Sequence, residues 1–319
     1  MLLASTAEAD HSLAHLRIAL FSAVPVIFVA AAAVAYLLAG RALAPMAQVT
    51  EATRRITADR LGDRLPVPYQ GDELGRLAAT VNDMLARLER AFVEMRRFTA
   101  DASHELRTPL TVLRAEVEVA QGKPLSPDDV RELLASVLEE CDRLARLTDQ
   151  LLTLARQDAG TVPPKREPVD VAVLAAGVVE DLSPLAEAKG QTLRLGVEPG
   201  RDGLVVPGDS GQLRQALVNL IDNAVKYTPE GGTVEVRVGA TPVGVAVTVA
   251  DTGEGIPAEH LPRVFDRFYR VDKARSRELG GTGLGLAIMK GIVEGHGGRV
   301  ELTSEVGRGT VCTVTIPSA

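Results

Sequence analysis

His104 stands beside a carboxylate, Glu105, within the stretch Phe98–Leu110. A histidine ring nitrogen near neutral pH can act as a nucleophile or carry a proton. The same arrangement describes a plain solvated histidine, and alone the residue does not choose. Four constellations downstream shift the balance. Asn219, Asn223 and Lys226 recur at i, i+4 and i+7, one face of a helix. Amide oxygens there can ligate Mg2+ and the ammonium can meet phosphate, against the plainer reading of a polar helix face. Asp251-Thr252-Gly253-Glu254-Gly255-Ile256-Pro257 follows an apolar run. An acid at a strand end followed by glycines suits a hydrogen bond to a ring amino group with close backbone approach. Phe265, Phe268 and Tyr269 fall within five positions, among Arg263, Arg267 and Arg270. They suit a packed aromatic anchor for a mobile segment, with arginines that reach a phosphate. Gly280-Gly281-Thr282-Gly283-Leu284-Gly285-Leu286 opens a helix, where glycine-loop amides suit phosphate. No Gly-Lys-Ser/Thr follows, so it is not a P-loop, and no βαβ unit surrounds it. The charged stretch 271–282 before it reads as a lid.

Each of these groups needs an element to hold it. Around His104, the residues Phe92, Met95, Thr99, Ala102, Leu106, Pro109 and Leu113 step by 3 and 4, an apolar seam under a helix over 92–121. His104 projects off that seam. Gly122–Pro127 is a break, and Ser126 or Asp128 caps a second helix. Its stripe is Val130, Leu134, Val137, Cys141, Leu144, Thr148, Leu151 and Ala155. Two helices cannot close a core, but two hairpins make a four-helix bundle, so a homodimer is expected. Gly160–Pro168, with Pro163 and Pro164, reads as a linker. Beyond it, helices over about 170–189, Ser210–Tyr227 and Leu284–Gly295 are interspersed with strands Thr192–Val197, Thr233–Ala240, Val243–Asp251, Arg299–Glu305 and Gly309–Ile316. That pattern predicts an α/β sandwich with helices on one face of a mixed sheet.

The 319 residues allow two or three domains. A net charge of −7, 3% aromatic residues and no tryptophan argue against nucleic-acid binding. Cys141 and Cys312 sit in apolar-periodic contexts and read as small core residues rather than a disulfide or metal pair. His11 and His15 have metal-ligand spacing but no third ligand. Ile18–Gly40 runs 23 residues without a charge, about 35 Å of helix and enough to cross a hydrocarbon core. A signal peptide is the competing reading, but the cleavage-like alanines Ala30–Ala33 lie inside the apolar run. Arg41, Arg54, Arg55, Arg60 and Arg64 follow the span and only Arg17 precedes it, which places the rest in the cytoplasm. A single-pass protein of the cytoplasmic membrane is therefore expected. About 17 residues remain outside, too few for a folded sensor. Either sensing uses the membrane segment or a partner, or the chain starts late relative to a longer product.

Residues 41–93 carry two amphipathic stripes, Leu43, Met46, Val49, Ala52, Ile56 and then Leu74, Leu77, Val81, Met84, Leu85, Leu88. The connector Leu61–Pro68 separates them. With Pro45 after the span and Asp72-Glu73-Leu74-Gly75 opening the second helix, the segment resembles a HAMP signal-relay module; a plain coiled-coil spacer is the alternative.

The order of an asparagine box, Asp-x-Gly-x-Gly, an aromatic box and Gly-x-Gly-x-Gly resembles the ATP-binding domain of sensor histidine kinases, whose fold is shared with Hsp90, MutL and type II topoisomerases. The stretch Phe98–Leu110 is similar to the phosphoacceptor motif of the same kinases. The resemblance implies domains at 1–17 (extracytoplasmic), 18–40 (transmembrane), 41–93 (HAMP), 94–160 (dimerisation and phosphotransfer), 161–168 (linker) and 169–319 (ATP-binding). It implies ATP-dependent phosphorylation of His104, then transfer to an aspartate in the receiver domain of a response regulator. Glu105 would orient the ring or take its proton. The Thr108 position in the family aligns a water that dephosphorylates the regulator. Similarity assigns Asn223 and Asn219 to Mg2+ and phosphate, Lys226 to phosphate and Tyr227 to the nucleotide. Asp251 would read the adenine amino group in a pocket shaped by Gly253, Gly255 and Ile256 and held by Thr310. Arg267 and Arg270 would stabilise transferring phosphate. Gly281, Thr282, Gly283, Leu284, Gly285 and Leu286 would cover the triphosphate. The family's usual pair of membrane spans around a sensor is not matched here. The alternative readings are a membrane-tethered ATP-binding scaffold and an Hsp90-like ATPase without autokinase activity.

Overall fold

The computed structural model describes residues 3–57, 60–66, 73–122, 126–159, 165–198, 204–272 and 281–318. Val67 and Pro68 of the connector, Asp72 at the opening of the second HAMP-like helix, Lys123–Leu125 of the helical break, Gly160–Pro164 of the linker and 273–280 of the expected lid lie outside them. Two compact units divide the chain, Met1–Arg97 and Phe98–Ala319.

In the first unit, α1 runs Leu3–Arg55 as one helix. Its window His15–Gly40 has mean hydropathy 2.5 and none of it is buried, so the helix is long and apolar enough to cross a membrane. The connector after it is tied to α2 (Glu73–Gln121) by Asn82. That side chain accepts from Leu65 N–H at 2.8 Å and donates to Leu65 O at 3.0 Å. Leu61, Leu65, Ala78 and Leu85 are buried. Helix α2 passes 93/94 without a break, so one element carries both the second HAMP-like stripe and His104. Pro109 lies inside it and donates no helical N–H.

In the second unit, α3 spans Pro127–Ala159. Ser126 is its N-cap: the hydroxyl accepts from Asp129 N–H and the Asp129 carboxylate accepts from Ser126 N–H at 2.9 Å, a capping box. Beyond it come β1 (Glu167–Asp170), α4 (Val171–Ala188), β2 (Thr192–Val197), β3 (Val205–Gly208), α5 (Ser210–Tyr227), β4 (Thr233–Thr241), β5 (Gly244–Asp251), α6 (Gly285–Gly295), β6 (Arg299–Glu305) and β7 (Gly309–Pro317). A five-stranded mixed sheet has the order β2-β4-β5-β7-β6, with β2 and β4 parallel and the other pairs antiparallel. Period-2 valines build its inner face. Val234, Val236, Val238, Val247 and Val249 are buried beneath α4, α5 and α6, while Glu235 and Arg237 face out. The expected α/β sandwich is therefore present.

The small antiparallel pair β1–β3 was not expected from the sequence. Its strands are four residues each, and the register sets Pro168 opposite Pro207, a pair that gives no N–H to a ladder. Cys312 is buried as expected, but Cys141 is exposed. It lies on α3 beside Leu134 and Leu138, which are exposed as well. The buried side of α3 is instead Leu147 and Leu154, which join the core cluster of the sheet and its helices.

Candidate functional site

Between α5 and β5 lies a cavity of about 240 Å3. Leu220, Ala224, Val249, Leu302 and Cys312 make its apolar walls, and Asp251 stands at one end of β5. One oxygen of Asp251 accepts from Gly253 N–H at 2.8 Å and from Thr310 N–H at 3.1 Å. Burial raises this carboxyl above the usual range, and the two backbone N–H groups partly offset that shift. A carboxylate fixed by backbone inside an apolar slot suits an exocyclic amine on a flat ring. Two glycines let the chain close around it. Gly255 has φ +71°, and a Cβ there would meet Glu305 O at 2.1 Å. Gly309 has φ +108°, and a Cβ there would meet Asp251 O at 1.9 Å. Ile256 N–H donates to Ser304 Oγ at 2.8 Å, and Ser304 in turn bonds the Thr310 hydroxyl. Burial pushes the Cys312 thiol up to about 12, so at neutral pH it is a small apolar wall.

A smaller polar chamber of about 100 Å3 shares Asn223, Tyr227, Val264, Tyr269, Arg270 and Leu286 with the first. Gln150 of α3 and Asn219, Asp222, Lys226, Gly281, Thr282, Gly283 and Gly285 complete it. The i, i+4, i+7 face of α5 thus meets the glycine loop. Lys226 pairs with Asp222 at 2.6 Å. The amide nitrogen of Asn219 and Nε of Arg270 are buried donors without a protein partner. Such donors suit phosphate oxygens. Among the described residues no cluster of three His, Cys, Asp or Glu could hold a metal by itself. The amide oxygens of Asn219 and Asn223 fit Mg2+ that completes its shell from phosphates and water.

The end of α5 that carries Lys226 and Tyr227 is held from outside the chambers, by residues the sequence did not single out. Gln191, buried, donates to the carbonyls of Val225, Thr228 and Pro229, and Lys189 donates to Val225 O at 3.1 Å. Burial lowers the Lys189 pKa. Val249 and Cys312 were also missed as pocket walls. Their signal was available, since Val249 lies two residues before Asp251 on one strand face and opposite Cys312.

The helical hairpin meets this module directly. His104 is exposed on α2. Its neighbour Glu105 accepts from Arg270 Nη2 at 3.1 Å, and the Arg270 side chain is 4% exposed. Glu105 and Arg270, given separate roles on sequence grounds, are thus partners here. Arg267 lines neither chamber. Its guanidinium makes two bonds to Asp158 of α3 and lies over the Phe98 ring. Phe268 packs near Phe98 with ring centroids 6.0 Å apart, the aromatic anchor expected. Thr282 donates to Gln150 of α3 at 2.7 Å, so the glycine loop also touches the hairpin. Thr108 donates to the His104 carbonyl at 3.2 Å. Gly253 and Leu284 line neither chamber: Gly253 N–H donates to Asp251, and Leu284 is buried at the start of α6.

The arrangement is a two-chambered α/β module packed on a helical hairpin that carries an exposed histidine. Comparison with known proteins gives the family. Residues 208–319 match the histidine kinase-, DNA gyrase B- and HSP90-like ATPases, 94–160 the His Kinase A (phospho-acceptor) domain and 37–90 the HAMP domain. The sensor protein CutS of Streptomyces coelicolor is 36% identical over 290 residues, covering 91% of this chain and 69% of the relative. The sensor histidine kinase CusS of Escherichia coli is 39% identical over 275 residues, 86% of this chain and 56% of CusS; the chain thus spans little more than half of that relative. Full-length ShkA, solved in complex with AMPPNP, is 32% identical with a TM-score of 0.52, covering 69% of this chain and 46% of ShkA. The chain belongs to the two-component sensor histidine kinase family.

Proposed function

We propose that this chain takes the γ-phosphoryl group of ATP onto His104 and passes it to an aspartate in the receiver domain of a response regulator. The observation that carries the reading is Arg270, which lines both chambers and bonds the neighbour of His104. One guanidinium thus ties the phosphate end of the pocket to the histidine. Asp251 receives the adenine amino group, with Gly253, Gly255, Ile256, Tyr227 and Thr310 shaping the slot. Asn219, Asn223, Lys226 and the loop Gly281–Leu286 hold the phosphates. Mg2+, held at Asn223 and Asn219, would neutralise phosphate charge. The likeness to a protein solved with AMPPNP supports a nucleotide there. His104 supplies the ring nitrogen for in-line attack, Glu105 takes its proton or orients it, and Thr108 places a water for the reverse reaction on the regulator. The reading includes a homodimer through the hairpin, a membrane anchor in α1, and modules at 41–93, 94–160 and 169–319.

Incubation with γ-labelled ATP and Mg2+ tests it. The label should be acid-labile and alkali-stable and should vanish in His104→Gln; label that survives that change sinks the assignment. Asn223→Ala should abolish labelling while the dimer persists.

A further inference from the structure

A further contact stands on the outer side of the pocket wall. His260 Nδ1 lies 2.6 Å from the Tyr269 hydroxyl. The Arg263 guanidinium lies over the same ring, 4.3 Å from its centroid. Tyr269 lines both chambers and directly precedes Arg270. The backbone here has little support from regular structure: Phe268 has φ +58°, unusual for a residue with a side chain, and its N–H donates to Gly283 O at 2.9 Å. A strained segment keeps its shape only where its neighbours over-determine it. Phe268 is fixed by Phe98 and Gly283, and Arg270 by Glu105. Tyr269, between them, is fixed by His260 and Arg263.

We propose that His260 is a positioning residue for phosphoryl transfer. Its bond to the Tyr269 hydroxyl fixes the ring that both chambers share, and through it the backbone that carries Arg270 into the phosphate chamber. A hydroxyl both donates and accepts, so the bond forms with either ring tautomer. Glu259 Oε1 lies 3.5 Å from Nε2 on the other side of the ring. The inference rests on the autokinase reading and deepens it.

The test is the initial rate of autophosphorylation of the full chain over a range of ATP concentrations. His260→Leu and Tyr269→Phe each remove the same bond. Each should lower kcat roughly threefold to tenfold, the worth of one hydrogen bond, with KM for ATP within about twofold of wild type. The double variant should be no slower than the slower single variant. His260→Asn, whose amide can occupy the place of Nδ1, should recover most of the rate and keeps the test open if His260→Leu fails to fold. Additive losses, a raised KM with unchanged kcat, or a His260→Asn as slow as His260→Leu overturns the positioning role. An unaffected His260→Leu beside a labelled wild type overturns that role alone. A wild type that takes no label overturns the autokinase reading, and this role with it.

Discussion

Asp251 concentrates the conflict between stability and binding. Its carboxyl is raised by burial, so its ionisation costs folding free energy that the unfolded chain does not bear. With the folded value above the unfolded one, that cost is absent at pH below the unfolded value. It grows as pH rises through the interval and is complete above the folded value. Asp251→Asn removes it, so at neutral pH the variant should melt no lower than wild type. Lowering the pH through the interval should shift the comparison towards wild type, as thermal midpoints at several pH values will read. Nucleotide binding should move the other way. The amide oxygen would be claimed by Gly253 and Thr310 N–H, turning the NH2 group to the cavity against the adenine amine. Loss of one charge-assisted bond is worth roughly tenfold to a hundredfold in affinity, measurable by titration with a fluorescent ATP analogue. A variant that binds normally would remove Asp251 from adenine recognition.

Among the elements, α5 depends on two side chains at its far end. Gln191 satisfies carbonyls that the last turn of any helix leaves open. Gln191→Leu keeps the volume and leaves buried acceptors unpaired, so it should cost about 1–3 kcal/mol in denaturant unfolding. A loss well below that range would mean that Lys189 alone secures the turn. Nothing local announced this cap, because Gln191 lies 34 residues from Val225. The same physics separates what was legible from what was not. The five strands of the main sheet and the off-seam place of His104 follow from periods of 2 and 3.6, which are written locally. Strands β1 and β3 are too short and too proline-rich to carry a period. The side of α3 that takes the ATP-binding module reads only as a pair off the main stripe, Leu147 and Leu154. Its partners, such as the Ile288 carbonyl that accepts from Gln157, lie 131 residues away.

At the scale of the whole molecule, α3 presents two apolar faces and this chain covers one. Leu147 and Leu154 are buried against the module, whereas Leu134 and Leu138 are 55% and 64% exposed. On α2, Leu110 and Val117 are exposed as well. Leaving that much branched apolar side chain in water forfeits about 1.5–3 kcal/mol for each residue that a partner could bury. The homodimer proposed above would cover them, since a second copy of the hairpin would turn these residues into the core of a four-helix bundle. Cys141 reports on it, because it lies on α3 beside Leu134 and Leu138 and is exposed in a single chain. Alkylation of the full-length protein should therefore be slow at Cys141 in wild type and several-fold faster in a Leu134→Glu/Leu138→Glu variant. Cys312, buried and with its thiol held near 12, should stay unmodified in both and reports that the ATP-binding module remains folded. Fast wild-type reaction at Cys141 would mean that the stripe stays open in solution, and the dimer would then have to form elsewhere.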